Sequence, residues 1–148
     1  MFSAFAQQVY DRIMGIPPER FNDEERAVLN ILMRHFNDRK VTQLEIARSE
    51  RWMGCHPKHE ADILANKMNT TTRQVRQIIR NLRVNHQLPI LSDVKGYWIV
   101  TSEKEAADYI ETLAKQARAQ IESWKETYQA MSMSLDLEND LLHQLSLL

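Results

Sequence analysis

Cysteine is nearly missing from this chain of 148 residues: Cys55 stands alone, so no disulfide can close within it and a reducing compartment is the expected setting. Glycine is scarce too, with only Gly15, Gly54 and Gly96, which leaves no glycine-rich loop to cradle a phosphate. No Cys/His pair has a third partner to complete a nucleophilic site, so an enzyme is not expected. Apolar runs are short. None approaches the roughly 18 residues of a membrane span, and the N-terminus lacks the basic start of a secretory signal. The expected location is the cytoplasm of a bacterial host, with no membrane partner. Net charge is nearly absent as well, at −1, which argues against a protein that coats nucleic acid indiscriminately. Its distribution is uneven: residues 1–101 hold 15 Lys and Arg against 11 Asp and Glu, and residues 102–148 hold 4 against 9. A mildly basic body thus carries an acidic tail. A hydrophobic fraction of 43% with 26% charged residues fits an ordinary globular chain, long enough for one core and one or two appended helices.

What is present centres on residues 61–100. Asp62 to Met68 reads as a short helix, Asn69-Thr70-Thr71 as a tight turn, and Thr72 to Asn85 as a second helix with two opposed faces. Val75, Ile78, Ile79 and Leu82 recur at i, i+3, i+4 and i+7 and make one apolar stripe. The other side carries Arg73, Arg76, Gln77, Arg80 and Arg83, and no acid occurs between Thr71 and Gln87. Thr71 with Gln74 has the spacing of a capping box, which predicts the helix start at the turn. Leu88 to Leu91 and Tyr97 to Val100 are β-prone runs joined by a turn over Ser92-Asp93-Val94-Lys95-Gly96. Tyr97 and Trp98 as a pair could stack on a base, yet strand alternation sends one of the two into the core against Ile79 or Leu82, with Trp98 the favoured choice.

This helix-turn-helix followed by a hairpin resembles the winged-helix module of many phage and prophage DNA-binding proteins. The residues that carry the resemblance are Thr72-Arg73-Gln74-Val75-Arg76, Ile78-Ile79-Arg80-Asn81-Leu82, Leu88-Pro89-Ile90 and Lys95-Gly96-Tyr97-Trp98-Ile99. It implies that the second helix enters the major groove of double-stranded DNA and that the wing touches backbone or minor groove. Thr72, Arg73, Gln74, Arg76, Gln77, Arg80 and Arg83 would then form the DNA-binding face, with Lys95 on the wing. Arginine and glutamine suit this role because each can hydrogen-bond a base edge in two places at once. The plainer alternative is a polar helix face exposed to water.

Elsewhere the chain reads as supporting structure. Met1 to Met14 places Phe2, Phe5, Val9 and Ile13 on one face, either packing on its own domain, the favoured reading, or serving as an arm exchanged with a partner. Asn22 and Glu25 predict a capped helix to Phe36, burying Val28, Leu29, Ile31, Leu32 and Phe36. Thr42 and Glu45 predict a further short helix from Leu44 to about Trp52, broken from Gly54 to His59. That break holds Cys55, His56 and His59. A structural zinc site takes four ligands and the second pair is missing, so a solvated loop with a partly buried thiol is expected, with no metal or other cofactor. Arg48, Arg51 and Lys58 flank the loop, which is solvated on the plain reading and reaches DNA backbone on the other.

Ser102 and Glu105 cap the last long helix, in which Ala106, Ile110, Leu113, Ala117, Ile121, Trp124, Tyr128 and Met131 recur at steps of four and three. Such a seam predicts a homodimer, against the alternative that the helix lies along its own domain. The pattern loosens at Ser132-Met133-Ser134 before an acidic, Leu-rich end. There Gln144-Leu145-Ser146-Leu147-Leu148 resembles the short peptide by which bacterial polymerases and replication factors hold the sliding clamp, the beta subunit of DNA polymerase III. The resemblance implies that Gln144 bonds in a polar pocket while Leu145, Leu147 and Leu148 fill an apolar one, with Leu148 in place of the usual Phe. A Leu-rich tail that matches by accident, or continues an amphipathic helix, is the plain alternative.

The expected fold class is mainly α: a winged helix-turn-helix domain with a small β-hairpin wing and a long C-terminal helix. Its parts are an N-terminal amphipathic helix (1–20), the DNA-binding domain (21–101), a dimerisation helix (102–131) and the tail (132–148). The expected function is a sequence-specific DNA-binding protein of phage or prophage type, associated with the nucleoid, that couples a DNA site to the host clamp in replication. A repressor that occupies an operator as a dimer, without replication partners, is the alternative.

Overall fold

The computed structural model describes residues 2–59 and 69–135 and divides the chain into two compact units, the first ending at Glu105 and the second beginning at Ala106. The expected helix Asp62–Met68 and the terminal peptide Gln144-Leu145-Ser146-Leu147-Leu148 lie outside the described residues. Among these residues the protein is mainly helical, with one antiparallel hairpin and a long final helix.

Helix α1 (Ala4–Met14) starts where the Ser3 hydroxyl accepts from the Ala6 amide. It buries Ala6, Val9 and Ile13, and it sets Phe2 edge-on to Phe36 at 4.9 Å. The N-terminal segment thus completes the core of its own unit, as the favoured reading has it. Helix α2 (Asp23–Arg34) has the expected capping box, Asn22 accepting from the Glu25 amide at 2.8 Å and Glu25 from the Asn22 amide at 3.0 Å. Glu25 is nevertheless buried, because its second oxygen lies 2.9 Å from His86 Nε2. One carboxylate therefore caps α2 and ties it to the chain at His86.

The expected helix from Leu44 to Trp52 is two helices, α3 (Gln43–Arg48) and α4 (Glu50–Cys55), with Ser49 extended between them at φ −65° and ψ 144°. Ser49 divides them because its hydroxyl serves both ends, donating to the Ile46 carbonyl at 2.6 Å and accepting from the Trp52 amide. The change of direction leaves Trp52 fully buried. Helix α4 also runs through Gly54, so the break expected there begins two residues later, at His56.

Helix α5 (Asn69–Asn85) begins earlier than its sequence signals imply. Asn69-Thr70-Thr71 is therefore the first turn of the helix, and Thr71 is no N-cap: it is buried, one turn before Val75 on the same inner face. Strands β1 (Ile90–Asp93) and β2 (Gly96–Ile99) follow in antiparallel register, Ile90 opposite Ile99 and Asp93 opposite Gly96. The turn is only Val94-Lys95, shorter than the expected span from Ser92 to Gly96. Val41 adds a third stretch of backbone to the sheet, exchanging both hydrogen bonds with Tyr97 at 2.7 and 2.8 Å.

That pairing decides the aromatic pair against expectation. Tyr97 is buried and accepts from Gln43 through its hydroxyl at 2.8 Å, whereas Trp98 is half-buried on the opposite face of β2. Trp98 donates to Glu105 at 3.1 Å and has the Lys40 ammonium 4.2 Å from its ring centre. Helix α6 (Glu103–Leu135) starts at Ser102, whose hydroxyl accepts from the Glu105 amide. It runs without a break through Ser132-Met133-Ser134, where loosening is expected from sequence.

Candidate nucleic-acid interface

Helix α5 is held by its inner face and presents the other. Val75, Ile78, Ile79 and Leu82 are all buried, so the apolar stripe is wholly spent on the core. Arg73, Arg76, Gln77 and Arg80 are exposed on the opposite side, and Thr72 and Gln74 sit half-buried at its two margins. From Arg73 to Val84 this outer face is about 16 Å long at 1.5 Å per residue, a length that fits along a major groove.

The structure adds two residues that the polar pattern does not show. Val84 is 66% exposed in line with Arg73, Arg80 and Gln77, an apolar group of the kind that can meet a thymine methyl. Asn81 accepts from Gln77 at 2.9 Å and so steadies that side chain one turn away. Neither could be found by looking for basic residues, though the helical phase alone would have placed both.

Arg83 has a different place. Its guanidinium donates to the Ile90 carbonyl at 2.7 Å and to the Ser92 hydroxyl at 3.1 Å, so it fastens α5 to β1. Charge-assisted bonds of this kind fix the angle between helix and hairpin. Lys95 is exposed at the hairpin turn and shares a cleft with Arg76: about 250 Å³ in volume, it is lined by Thr42, Gln43, Arg76, Asp93, Val94, Lys95, Gly96 and Tyr97. Two cations from separate elements thus border one concavity.

Asp93 is the acid on that cleft, and it is neutralised locally. The Lys40 ammonium bonds its carboxylate and, with help from the Lys95 and Gly96 amides, holds it below the usual carboxylate range. A depressed value means that the turn's support from Asp93 is intact above the unfolded value, about pH 4, and is lost as pH falls through the folded one. The Lys95 amide resonance is accordingly expected to titrate with a midpoint below about pH 3.9. A midpoint at or above that value would contradict the pairing.

Cys55 and His56, the residues weighed as metal ligands, are both half-buried. His56 packs on Trp52 with ring centres 4.7 Å apart and lies 3.5 Å from Glu24. Cys55 is half-buried, and burial, followed by the nearby Asp23 and Glu24, pushes its thiol up, away from the thiolate a metal needs. Among the described residues no group of three His, Cys, Asp or Glu side chains could hold a metal ion. Arg48, Arg51 and Lys58 are exposed, and Arg51 borders a separate apolar cavity beside α1 and α2. No helix among the described residues is long and apolar enough to cross a membrane.

No family model, characterised protein or solved structure matches this chain. Its functional reading therefore stands on the geometry of α5 and the hairpin.

Proposed function

We propose that the chain is a double-stranded DNA-binding protein of the winged helix-turn-helix kind, reading sequence with α5 and touching the backbone with the β1–β2 turn. The observation that carries this is the exposed row of Arg73, Arg76, Gln77 and Arg80, opposite a fully buried stripe, with Lys95 beside Arg76 at a shared cleft. A helix so fixed holds the backbone of these arginines in place, so that their side chains are what must order on binding. Arginine at such positions can take two acceptors of a guanine edge, while Lys95 adds a phosphate contact. Arg83 serves this reading as the brace that sets the hairpin's angle to the helix rather than as a base contact.

Fluorescence anisotropy of a labelled duplex across a salt series tests it. Affinity is expected to fall linearly on a log–log plot, with a slope of about −0.9 for each phosphate neutralised. Absence of binding at low salt would overturn the proposal.

The same reading places the protein in phage or prophage DNA replication, with the host sliding clamp as its second partner. Support for that part is Gln144-Leu145-Ser146-Leu147-Leu148 alone. Purified clamp is expected to bind the full chain and not one ending at His143. Equal binding by both, or by neither, would leave a transcriptional regulator in front.

A further inference from the structure

In the second unit, α6 carries large apolar side chains in the open: Ile110 is 66% exposed, Leu113 47%, Trp124 58% and Met131 47%. With the half-buried Ile121 and Tyr128 they form one stripe along a helix with no glycine or proline. A helix of this length with such a stripe draws its stability from packing rather than from propensity. The spacing from Leu113 through Ala117 to Ile121 is four and four, where a plain heptad has four and three. Two successive fours make a local 11-residue repeat, which unwinds the supercoil and lets the stripe run straighter there.

The positions beside the stripe say how a partner is chosen. Ala114, Gln116, Arg118, Gln120, Lys125 and Thr127 flank it, and the two charged ones, Arg118 and Lys125, are both basic, so ion pairs do not set the direction of pairing. Side-chain size does. A parallel pair would stack Trp124 on Trp124 and Tyr128 on Tyr128 while leaving Ala117 facing Ala117, two overfilled layers and one hollow one. Both faults are costly in a packed interface.

We propose that α6 pairs with α6 of a second copy of this chain, antiparallel, about a two-fold axis between Glu122 and Ser123. In that register Ile121 faces Trp124, Ala117 faces Tyr128, Ala114 faces Met131, and Leu113 faces Ser132. Each layer then joins a smaller side chain to a larger one, and the two-fold axis repeats each layer once. Charges are compatible: Lys125 faces Gln120, Arg118 faces Thr127, and Glu122 faces Ser123. This pairing goes beyond the DNA reading and stands whether or not the protein binds DNA.

The full chain carrying Cys55→Ser and Asp108→Cys, spin-labelled at the new cysteine, tests it at tens of micromolar. Sedimentation is expected to give twice the 17.4 kDa chain mass. Electron–electron dipolar spectroscopy should place the two labels about 45 Å apart, from a 29-residue offset at about 1.5 Å per residue. A monomer, or a dimer whose labels lie within about 20 Å as parallel helices require, overturns the proposal. Ala117→Tyr should weaken self-association about tenfold or more by overfilling the layer with Tyr128. Adding Tyr128→Ala should restore it, and failure of that rescue likewise counts against the antiparallel register.

Discussion

Gly96→Ala is expected to lower folding stability by about 4 kcal/mol, the sum of a strain term of about 2 and a steric term of about 2. Gly96 adopts φ +145°, a region that side-chain-bearing residues rarely enter. A Cβ there would lie 2.3 Å from the Val41 carbonyl oxygen, 2.8 Å from its carbon and 3.2 Å from Thr42 Cα. All three are backbone atoms, so no rotamer change relieves the clash. Relief requires pulling Val41 off Tyr97, which breaks both of their hydrogen bonds and opens the sheet beside the cleft. Urea denaturation monitored by tryptophan fluorescence measures this, with a lower midpoint at constant slope. A change within about 0.5 kcal/mol, the range of an ordinary surface substitution, would show that the close approach to Val41 is not what Gly96 is there for. Gly54→Ala is the internal comparison. A Cβ there meets nothing within 4 Å inside a helix, and the variant should be neutral or more stable by up to about 1 kcal/mol.

Replacing Arg76 and Arg80 together by alanine is expected to cost about 2–6 kcal/mol of DNA affinity, from about 1–3 for each arginine that reads a base. Folding should be untouched, since both side chains are exposed and neither is tied to another side chain among the described residues. The salt series then separates the roles. Loss of a base contact weakens the preferred sequence more than a random duplex, whereas loss of Lys95 weakens both alike and flattens the salt slope by about 0.9. Arg83→Ala should behave in the opposite sense and destabilise the fold, because it removes the two hydrogen bonds that fasten α5 to β1. An Arg76/Arg80 variant that binds as tightly as the parent would remove α5 as the reading element, even if the protein binds DNA by another surface.

Much of the local structure is legible from residue spacing. Asn22 with Glu25 gives the start of α2, and Val75, Ile78, Ile79 and Leu82 give both the buried face of α5 and, by opposition, the outward arginines. These signals survive because they are short-range: a helix joins residues three and four apart whatever surrounds it. Where the same logic fails, burial in the core or a competing local hydrogen bond has taken over. Thr71 has the residue type of a cap, yet the helix reaches back to Asn69 and Thr71 turns into the core. Ser49 splits what periodicity joins into one helix, and Trp52 fills the space so created.

The hairpin shows the division most plainly. Sequence by itself determined two β-prone runs, a turn between them and a glycine at its edge. It also determined that one of two adjacent aromatics must face inward, because strand side chains alternate. Only the tertiary structure decided which one: Val41, more than fifty residues earlier in the chain, pairs with Tyr97 and fixes the register, which buries Tyr97 and leaves Trp98 to Lys40 and Glu105. Alternation has two phases of equal local merit, and the energy that separates them comes from contacts across the fold. Arg83 follows the same rule, since its helical phase permits either an outward pose or a brace to β1, and the carbonyl and hydroxyl that hold it exist only once the hairpin has folded against the helix.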